Sequence, residues 1–160
     1  MSSAADLVAL LSERGWTLGI AESLTGGAVS SAVVAVPGAS AVLNGAVVSY
    51  ATPVKHTLLG VDADLLDEHG PVHPRVAEQM ADGVRTAVAV AGRDADVGIA
   101  TTGIAGPASP DGQPVGTVHV GVATPAGTHS VAFRFGGDRE EIRRQSVDAA
   151  ISATLRALQE

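Results

Sequence analysis

Hydrophobic and polar positions follow two different periods along this chain. Apolar residues recur at helical spacing near residues 3–14, 28–36 and 74–90, and again in a final segment that ends at Leu158. Between these segments lie short apolar runs typical of buried strands, at residues 17–21, 42–50, 96–102, 115–123 and 128–135. The alternation predicts an α/β fold in which helices cover a sheet.

The connections predict a mixed sheet. The first two strands are joined through the helix at 28–36, so we expect them to be parallel. The last two strands are joined by Thr-Pro-Ala-Gly at 124–127, which is typical of a hairpin and predicts an antiparallel pair. Short helices are expected at 53–59 and 62–68, before the longer helix that Pro74 begins.

Local signals define where the terminal helices begin and end. Gly15 is expected to end the first helix. Asp138 and Glu141 have the spacing of a capping box at the start of the last helix. The apolar stripe of that helix is formed by Val147, Ile151, Leu155 and Leu158.

Composition refines this fold. The 160 residues suit one domain over 1–160. Hydrophobic residues make up 46% of the chain but aromatic residues only 2%. The core must therefore consist of aliphatic side chains, and the helices should lie close to the sheet.

Charge and residue usage exclude several classes of function. The net charge of -7 argues against binding nucleic acid, which depends on basic side chains. The absence of cysteine excludes disulfides, zinc–thiolate sites and a cysteine nucleophile. With no signal-like start and no apolar run of about 18 residues, we expect a soluble, cytoplasmic protein without a membrane partner.

The most informative stretch is Ala-Glu-Ser-Leu-Thr-Gly-Gly at residues 21–27. It joins a predicted strand to a predicted helix, and its glycines allow the backbone to approach a ligand. Ser23 is a candidate nucleophile, and Thr25, Gly26 and Gly27 form a candidate cradle for an oxyanion or phosphate. The alternative is a strand-to-helix turn with a hydroxyl as N-cap.

A second candidate stretch holds Tyr50 and Lys55. Lys55 is the only lysine among ten basic side chains, so its titratable ammonium is a candidate base for a serine. Tyr50 would steer a proton or contact the substrate. The alternatives are a solvated surface lysine and a tyrosine whose hydroxyl lies in water.

A third stretch follows the next strand. Thr102, Gly103 and Gly106 repeat the pattern of a strand end with hydroxyls and then glycines. Because ligands of open α/β sheets gather at such strand ends, the three stretches are expected to meet in one cleft. The alternative is an ordinary turn-forming loop.

Arginine and histidine complete the candidates. Arg139 and Arg143, at the start of the last helix, would clamp a phosphate or carboxylate, or else lie on an exposed helix face. The five histidines show no metal-ligand spacing, so no metal is expected.

Taken together, these segments resemble the CinA C-terminal domain family, which includes stand-alone bacterial nicotinamide-nucleotide amidohydrolases. Each segment is weak alone, but their order and spacing are specific. The matching segments lie at residues 21–27, 37–40, 50–55, 59–61, 69–70, 102–107, 114–118 and 137–139.

The resemblance implies a three-layer α/β/α sandwich with a mixed five-stranded sheet. It also implies hydrolysis of nicotinamide mononucleotide to nicotinic acid mononucleotide and ammonia, without metal or cofactor, in a homo-oligomer. By the resemblance, Ser23 would attack the carboxamide carbon and Lys55 would carry the proton. Tyr50 would support this transfer.

The resemblance also assigns binding roles. Thr102 and the backbone of Thr25, Gly26 and Gly27 would hold the oxyanion or the phosphate. Either Arg139 or Arg143 would meet the phosphate.

Some positions depart from the family pattern. Ala51-Thr52 stand where Ser-Asn is usual, and Pro-Val-His at 71–73 where Ala-Val-Ser is usual. The loop at 108–113 ends in Gln113 instead of a lysine, and a protonated His73 could replace that cation. Two alternatives therefore stay open: a catalytically silent nucleotide-binding or regulatory module, and an amidase of another small substrate.

Overall fold

A five-stranded sheet forms the middle layer of the fold. The computed structural model describes residues 3–160. The strands are, in chain order, β1 (Leu18–Glu22), β2 (Leu43–Val48), β3 (Val97–Gly103), β4 (Thr117–Thr124) and β5 (Gly127–Arg134). Their spatial order is β2-β1-β3-β4-β5. Strands β2, β1 and β3 are parallel, whereas β4 runs antiparallel to both β3 and β5, so the predicted mixed sheet is confirmed.

Helices cover both faces of this sheet. They are α1 (Ala4–Arg14), α2 (Ala28–Val34), α3 (Thr52–Leu59), α4 (Ala63–His69), α5 (Pro74–Ala87) and α6 (Arg139–Gln159), with a 3₁₀ turn at Ala39–Ala41. Helices α1, α2 and α6 pack on one face in a large aliphatic cluster. Helices α3, α4 and α5 form a smaller cluster on the other face. The result is the expected three-layer sandwich.

Helix α5 lies very close to the sheet because the strands beneath it carry glycine. A Cβ atom on Gly98 would lie 1.9 Å from the carbonyl oxygen of Ala81, and one on Gly121 would lie 2.1 Å from that of Ala77. Any side chain at these strand positions would push the helix away. The close approach predicted from the scarcity of aromatic residues is thus confirmed on this face.

The ends of α1 and α6 follow the local sequence signals. Ser3 caps α1, and Gly15 ends it in the left-handed conformation. Asp138 and Glu141 form the predicted capping box of α6. The stripe of α6 is broader than predicted, because Ile142 and Ala150 are also buried, while Val147 is only half-buried.

Several predicted elements are shorter in the structure, among them β2, which spans residues 43–48 and not 42–50. Helix α2 ends at Val34 and not at residue 36, because Pro37 disfavours a helical residue before it. Helix α5 ends at Ala87 and not near 90, because the chain turns back so that Val90 pairs with Arg93. Strand β4 begins at residue 117 and not 115. Over residues 3–160, no helix is both long and apolar enough to span a bilayer.

Candidate active site

A cavity of about 370 Å³ opens at the carboxyl ends of β1 and β3. The structure brings the three candidate stretches to it. Ser23 comes from the turn after β1, Tyr50 and Lys55 from the segment after β2, and Thr102 from the end of β3. The parallel arrangement of β2, β1 and β3 explains this convergence, since their carboxyl ends share one edge of the sheet.

Contacts from distant elements hold the turn that carries Ser23. The backbone N–H of Ser23 donates to Thr101 Oγ1 over 3.4 Å, and the hydroxyls of Thr25 and Thr101 lie 2.8 Å apart. From α6, Arg143 donates to the carbonyl oxygens of Leu24 (2.9 Å) and Thr25 (3.2 Å). Ser23 is therefore presented to the cavity from a fixed backbone.

Glu22 fixes the other end of this turn. Its carboxylate is fully buried, and it accepts hydrogen bonds from the backbone N–H groups of Val29 (2.9 Å) and Ser30 (3.0 Å) and from the Ser30 hydroxyl. These donors belong to the first turn of α2, where a negative charge is favourable. Sequence reasoning assigned Glu22 no role. The available signal was an acidic side chain at the end of an apolar strand, directly before the candidate nucleophile.

Lys55 lies in α3 with only 1% of its surface exposed. Its Nζ atom donates to Ser23 Oγ at 3.0 Å, to the carbonyl oxygen of Ser49 at 2.6 Å and to that of Tyr50 at 3.4 Å. Among residues 3–160 no carboxylate forms a salt bridge with it. Burial without a counter-ion lowers the pKa of Lys55 from 10.5 to about 8.

The mouth of the cavity is formed by Tyr50 and Arg139. Tyr50 is 62% exposed, and its hydroxyl accepts a hydrogen bond from Arg139 over 3.3 Å. A second nitrogen of Arg139 donates to the carbonyl oxygen of Gly106. Arg139 therefore joins the loop after β3 to the segment after β2, with its guanidinium at the cavity.

Thr102 and the glycines that follow form one wall. Thr102 is buried, and its hydroxyl donates to the carbonyl oxygen of Pro71 at 2.7 Å. Gly103 and Gly106 also line the cavity. Consecutive strand residues point to opposite faces of a sheet, so Thr101 points away from Thr102 and contacts the turn that carries Ser23. Strict strand alternation was the signal that could have separated the two threonines.

Four predicted binding residues lie away from this cavity. Thr25, Gly26, Gly27 and Arg143 are absent from its lining. Thr25 is fully buried against Thr101, and Arg143 is occupied by the carbonyl oxygens of the turn. Gly26 and Gly27 adopt positive φ angles of 59° and 103°, so their contribution here is the shape of the turn.

The positions that depart from the family's usual pattern are divided between two cavities, and Thr52, Pro71 and Ala108 line that of Ser23. His73 and Gln113 line a neighbouring cavity and not that of Ser23. Gln113 donates through Nε2 to the carbonyl oxygen of Val72 over 2.9 Å. The structure thus places the proposed replacement cation, His73, outside the Ser23 cavity.

The family model of the CinA C-terminal domain matches residues 1–158. The chain belongs to the CinA family. A CinA-like protein of Frankia casuarinae is 45% identical over 152 residues, which are 95% of this chain and 34% of that protein. A CinA-like protein of Anaeromyxobacter dehalogenans is 46% identical over 154 residues, 95% of this chain and 36% of that protein. The chain therefore spans about a third of the length of these curated relatives.

Solved structures of the CinA superfamily share the whole fold. A protein from Klebsiella pneumoniae superposes with a TM-score of 0.90 at 33% identity, covering 98% of this chain and 95% of that one. The competence/damage-inducible protein CihA of Agrobacterium tumefaciens gives 0.88 at 32% identity, covering 98% and 93%. These matches confirm the family and the fold that the sequence predicted.

Proposed function

We propose that this chain is an amidohydrolase in which Ser23 is the nucleophile and Lys55 is the base. The observation that carries the proposal is the 3.0 Å hydrogen bond between Lys55 Nζ and Ser23 Oγ. A serine hydroxyl becomes nucleophilic when a base within hydrogen-bond reach can accept its proton. Ser–Lys pairs perform this role in other hydrolases.

The contacts of Lys55 fit the neutral amine as well as the ammonium form. A neutral amine has two N–H bonds and one lone pair. The carbonyl oxygens of Ser49 and Tyr50 accept the two N–H bonds, which leaves the lone pair for the Ser23 hydroxyl. A pKa of about 8 makes this form accessible near neutral pH.

The proposed reaction has two halves. Ser23 Oγ attacks the carboxamide carbon while its proton passes to Lys55 Nζ. The tetrahedral intermediate then expels ammonia, which takes the proton from Lys55 and leaves an ester on Ser23. Water attacks this ester as Lys55 accepts a proton from it, and Lys55 returns that proton to Ser23 Oγ. Amide and water are thereby converted to carboxylate and ammonium.

The tetrahedral intermediates need a donor for their oxyanion. Leu24 lines the cavity directly after Ser23, and among residues 3–160 its backbone N–H has no hydrogen-bond partner. A free backbone N–H beside the nucleophile is a common oxyanion donor. We therefore propose Leu24 N–H for this role in place of Thr25, Gly26 and Gly27.

We propose nicotinamide mononucleotide as the substrate, which is the substrate that the family resemblance implies. The cavity volume suits a small ligand, and its walls include the apolar side chains of Val72 and Ile104, suitable for an aromatic ring. Arg139 at the mouth supplies a cation for the phosphate. The products would be nicotinic acid mononucleotide and ammonia.

The test is ammonia release from nicotinamide mononucleotide by the wild type and by Ser23→Ala. We expect release by the wild type and a loss of about a thousandfold or more in the variant, because the nucleophile is removed. Ser31→Ala is the matched control, since Ser31 is exposed on α2 outside the cavity.

Three outcomes would contradict parts of the proposal. A fully active Ser23→Ala variant would remove Ser23 from the mechanism. Ammonia release from other amides only would replace the proposed substrate. Tight binding of the nucleotide by folded wild type without any ammonia release would indicate a silent binding module.

A further inference from the structure

A second cavity, of about 630 Å³, lies beside the Ser23 cavity. Val72 and Asp111 line both cavities. Thr102 of the first cavity is also paired across strands with His119 of the second. Because directly opposed residues on neighbouring strands point to the same face of a sheet, the two cavities are neighbours on one face. The proposed hydrolysis uses no polar group of the second cavity.

His119 is a buried polar side chain without a partner on one nitrogen. It is 8% exposed, and its Nδ1 atom is buried with no hydrogen-bond partner among residues 3–160. An unpaired buried N–H is rarer and more costly than an unpaired acceptor, so the proton belongs on Nε2. His119 therefore offers an Nε2–H donor to the cavity that it lines.

His73 offers a second donor of the same kind. Its Nδ1 atom accepts a hydrogen bond from the backbone N–H of Arg75 over 3.1 Å, as the N-cap of α5. A nitrogen that accepts carries no proton, so Nε2 of His73 must carry it. His73 also lines the second cavity, and its ring lies against that of His69, with 4.6 Å between centroids and an interplanar angle of 31°.

The surroundings of these two imidazoles disfavour positive charge in the empty cavity. Burial lowers the pKa of His119, and the proximity of His73 lowers it further. Burial also lowers the pKa of His73, as do His69 and Arg75, while Glu78 opposes them. A bound anion would stabilise the protonated form of both imidazoles and so raise the pKa of each.

The other charged groups of the cavity leave one cation available. Arg134 lines it and forms no salt bridge among residues 3–160. The carboxylate of Asp111 accepts from Gln113 Nε2 at 3.0 Å and from Gln113 N at 3.1 Å. The carboxylate of Glu68 lies 3.9 Å from His69 Nε2. Both acidic groups therefore have their own positive or donor neighbours.

We propose that this second cavity binds a compact oxyanion, the phosphate or carboxylate group of a small molecule, through the Nε2–H groups of His73 and His119. Two donors and an arginine suit an acceptor-only ligand, whereas a metal ion would need unprotonated nitrogens. Among residues 3–160 no three histidine or acidic side chains are placed to hold a metal. The inference does not depend on hydrolysis at Ser23.

The test is a titration of the full chain, with its histidines labelled at Cε1, by inorganic phosphate and, in parallel, by acetate. We expect saturable NMR shifts and an increased pKa for His73 and His119, and no change for His56 or His129. Saturation by phosphate alone would assign a phosphate group, and saturation by acetate alone a carboxylate. Absence of saturable shifts with both anions in the millimolar range would overturn the proposal.

Two variants of the lining histidines test whether the anion binds in this cavity. His119→Phe keeps an aromatic ring, and His73→Asn keeps an N-cap for α5, but each removes one Nε2–H. We expect either change to weaken binding about tenfold, and the control His129→Asn to leave it unchanged. Ser23→Ala should bind the anion as the wild type does. Unchanged affinity in both cavity variants would refute the site, even if Ser23 proves catalytic.

Discussion

The turn after β1 and the loop after β3 both contain glycines and both contribute residues to the Ser23 cavity, but they are built differently. In the first, Ser23, Leu24 and Thr25 are buried, and contacts from β3 and α6 hold the backbone. In the second, residues 107–114 are mostly exposed, and the main tether to α6 is the bond from Arg139 to Gly106. Contacts within the core therefore fix the turn after β1, whereas the loop after β3 is held mainly by one contact at the rim of the cavity.

This difference suits the turn after β1 to the chemical step and the loop after β3 to substrate binding. A nucleophile must be held within a fraction of an ångström of its base, which a buried and fully bonded turn achieves. An exposed loop can vary without disturbing that geometry. We therefore expect changes at the turn to affect kcat or stability, and changes at the rim to affect KM.

The largest effect is expected from Lys55→Met, which removes the base that faces Ser23. Activity should fall about a thousandfold or more, because the hydroxyl proton has no acceptor. Steady-state ammonia release measures the change. Lys55→Arg is the matched variant: it keeps the charge and the donors but cannot lose its proton near neutral pH. An active Lys55→Arg variant would show that Lys55 acts as a donor and not as a base.

The pH dependence gives the next largest effect. Because the base must be neutral, kcat should rise with pH and level off above the Lys55 pKa of about 8. The neutral fraction falls from about one half at pH 8 to about 1% at pH 6, so a roughly fiftyfold loss of rate is expected. A single NMR resonance from labelled lysine reports the pKa directly, since Lys55 is the only lysine. A pKa near 10.5 would contradict this prediction.

The same pKa shift predicts the direction of a stability change. Between pH 8 and pH 10.5 the unfolded chain binds more protons at Lys55 than the folded chain, because burial lowers the folded pKa. The free energy of unfolding should therefore rise with pH across this window. Denaturant unfolding measures it, and Lys55→Met should lack that part of the rise.

Glu22→Gln tests how firmly the turn must be held. The amide would direct its own N–H group at the donors of Val29 and Ser30, so one donor loses its partner. We expect the free energy of unfolding to fall by about 1–3 kcal/mol. Glu13→Gln, on the exposed face of α1, is the control and should unfold like the wild type. Equal stability of the two variants would show that Glu22 is not needed to hold α2.

Arg139→Gln is expected to have the smallest effect, and it tests the rim. Glutamine can still donate to Gly106 but has no charge for a phosphate, so KM should rise about tenfold with kcat little changed. Arg144→Gln, an exposed change on the same helix, is the control. A large loss of kcat at constant KM would show that Arg139 acts in the chemical step and not in substrate binding.

Local patterns allowed much of the fold to be predicted. Both the hairpin at residues 124–127 and the capping box of Asp138 with Glu141 depend on neighbouring residues, so they are visible in the sequence. Element ends were less accurate, as at the end of α5. There the deciding contact, between Val90 and Arg93, forms outside any helix or strand.

The candidate site was predictable by segment but not by side chain. Ser23, Lys55 and Tyr50 line the cavity, whereas Thr25 and Arg143 instead support the turn. Both groups carry the same kinds of atoms at strand and helix ends, so no sequence pattern separates them. The direction of each side chain depends on contacts between segments distant in the chain, which is a tertiary property.

By itself, the sequence determined the order of helices and strands, the mixed sheet and the family, because these follow from periodicity, capping and the spacing of short segments. Only the tertiary structure decided that Lys55 reaches Ser23, 32 positions away, and that within residues 3–160 no carboxylate forms a salt bridge with Lys55. It also decided that His73 shares a cavity with His119 and not with Ser23. The physical reason is burial: desolvation and hydrogen-bond partners come from packing between distant segments, and they give a side chain its reactivity.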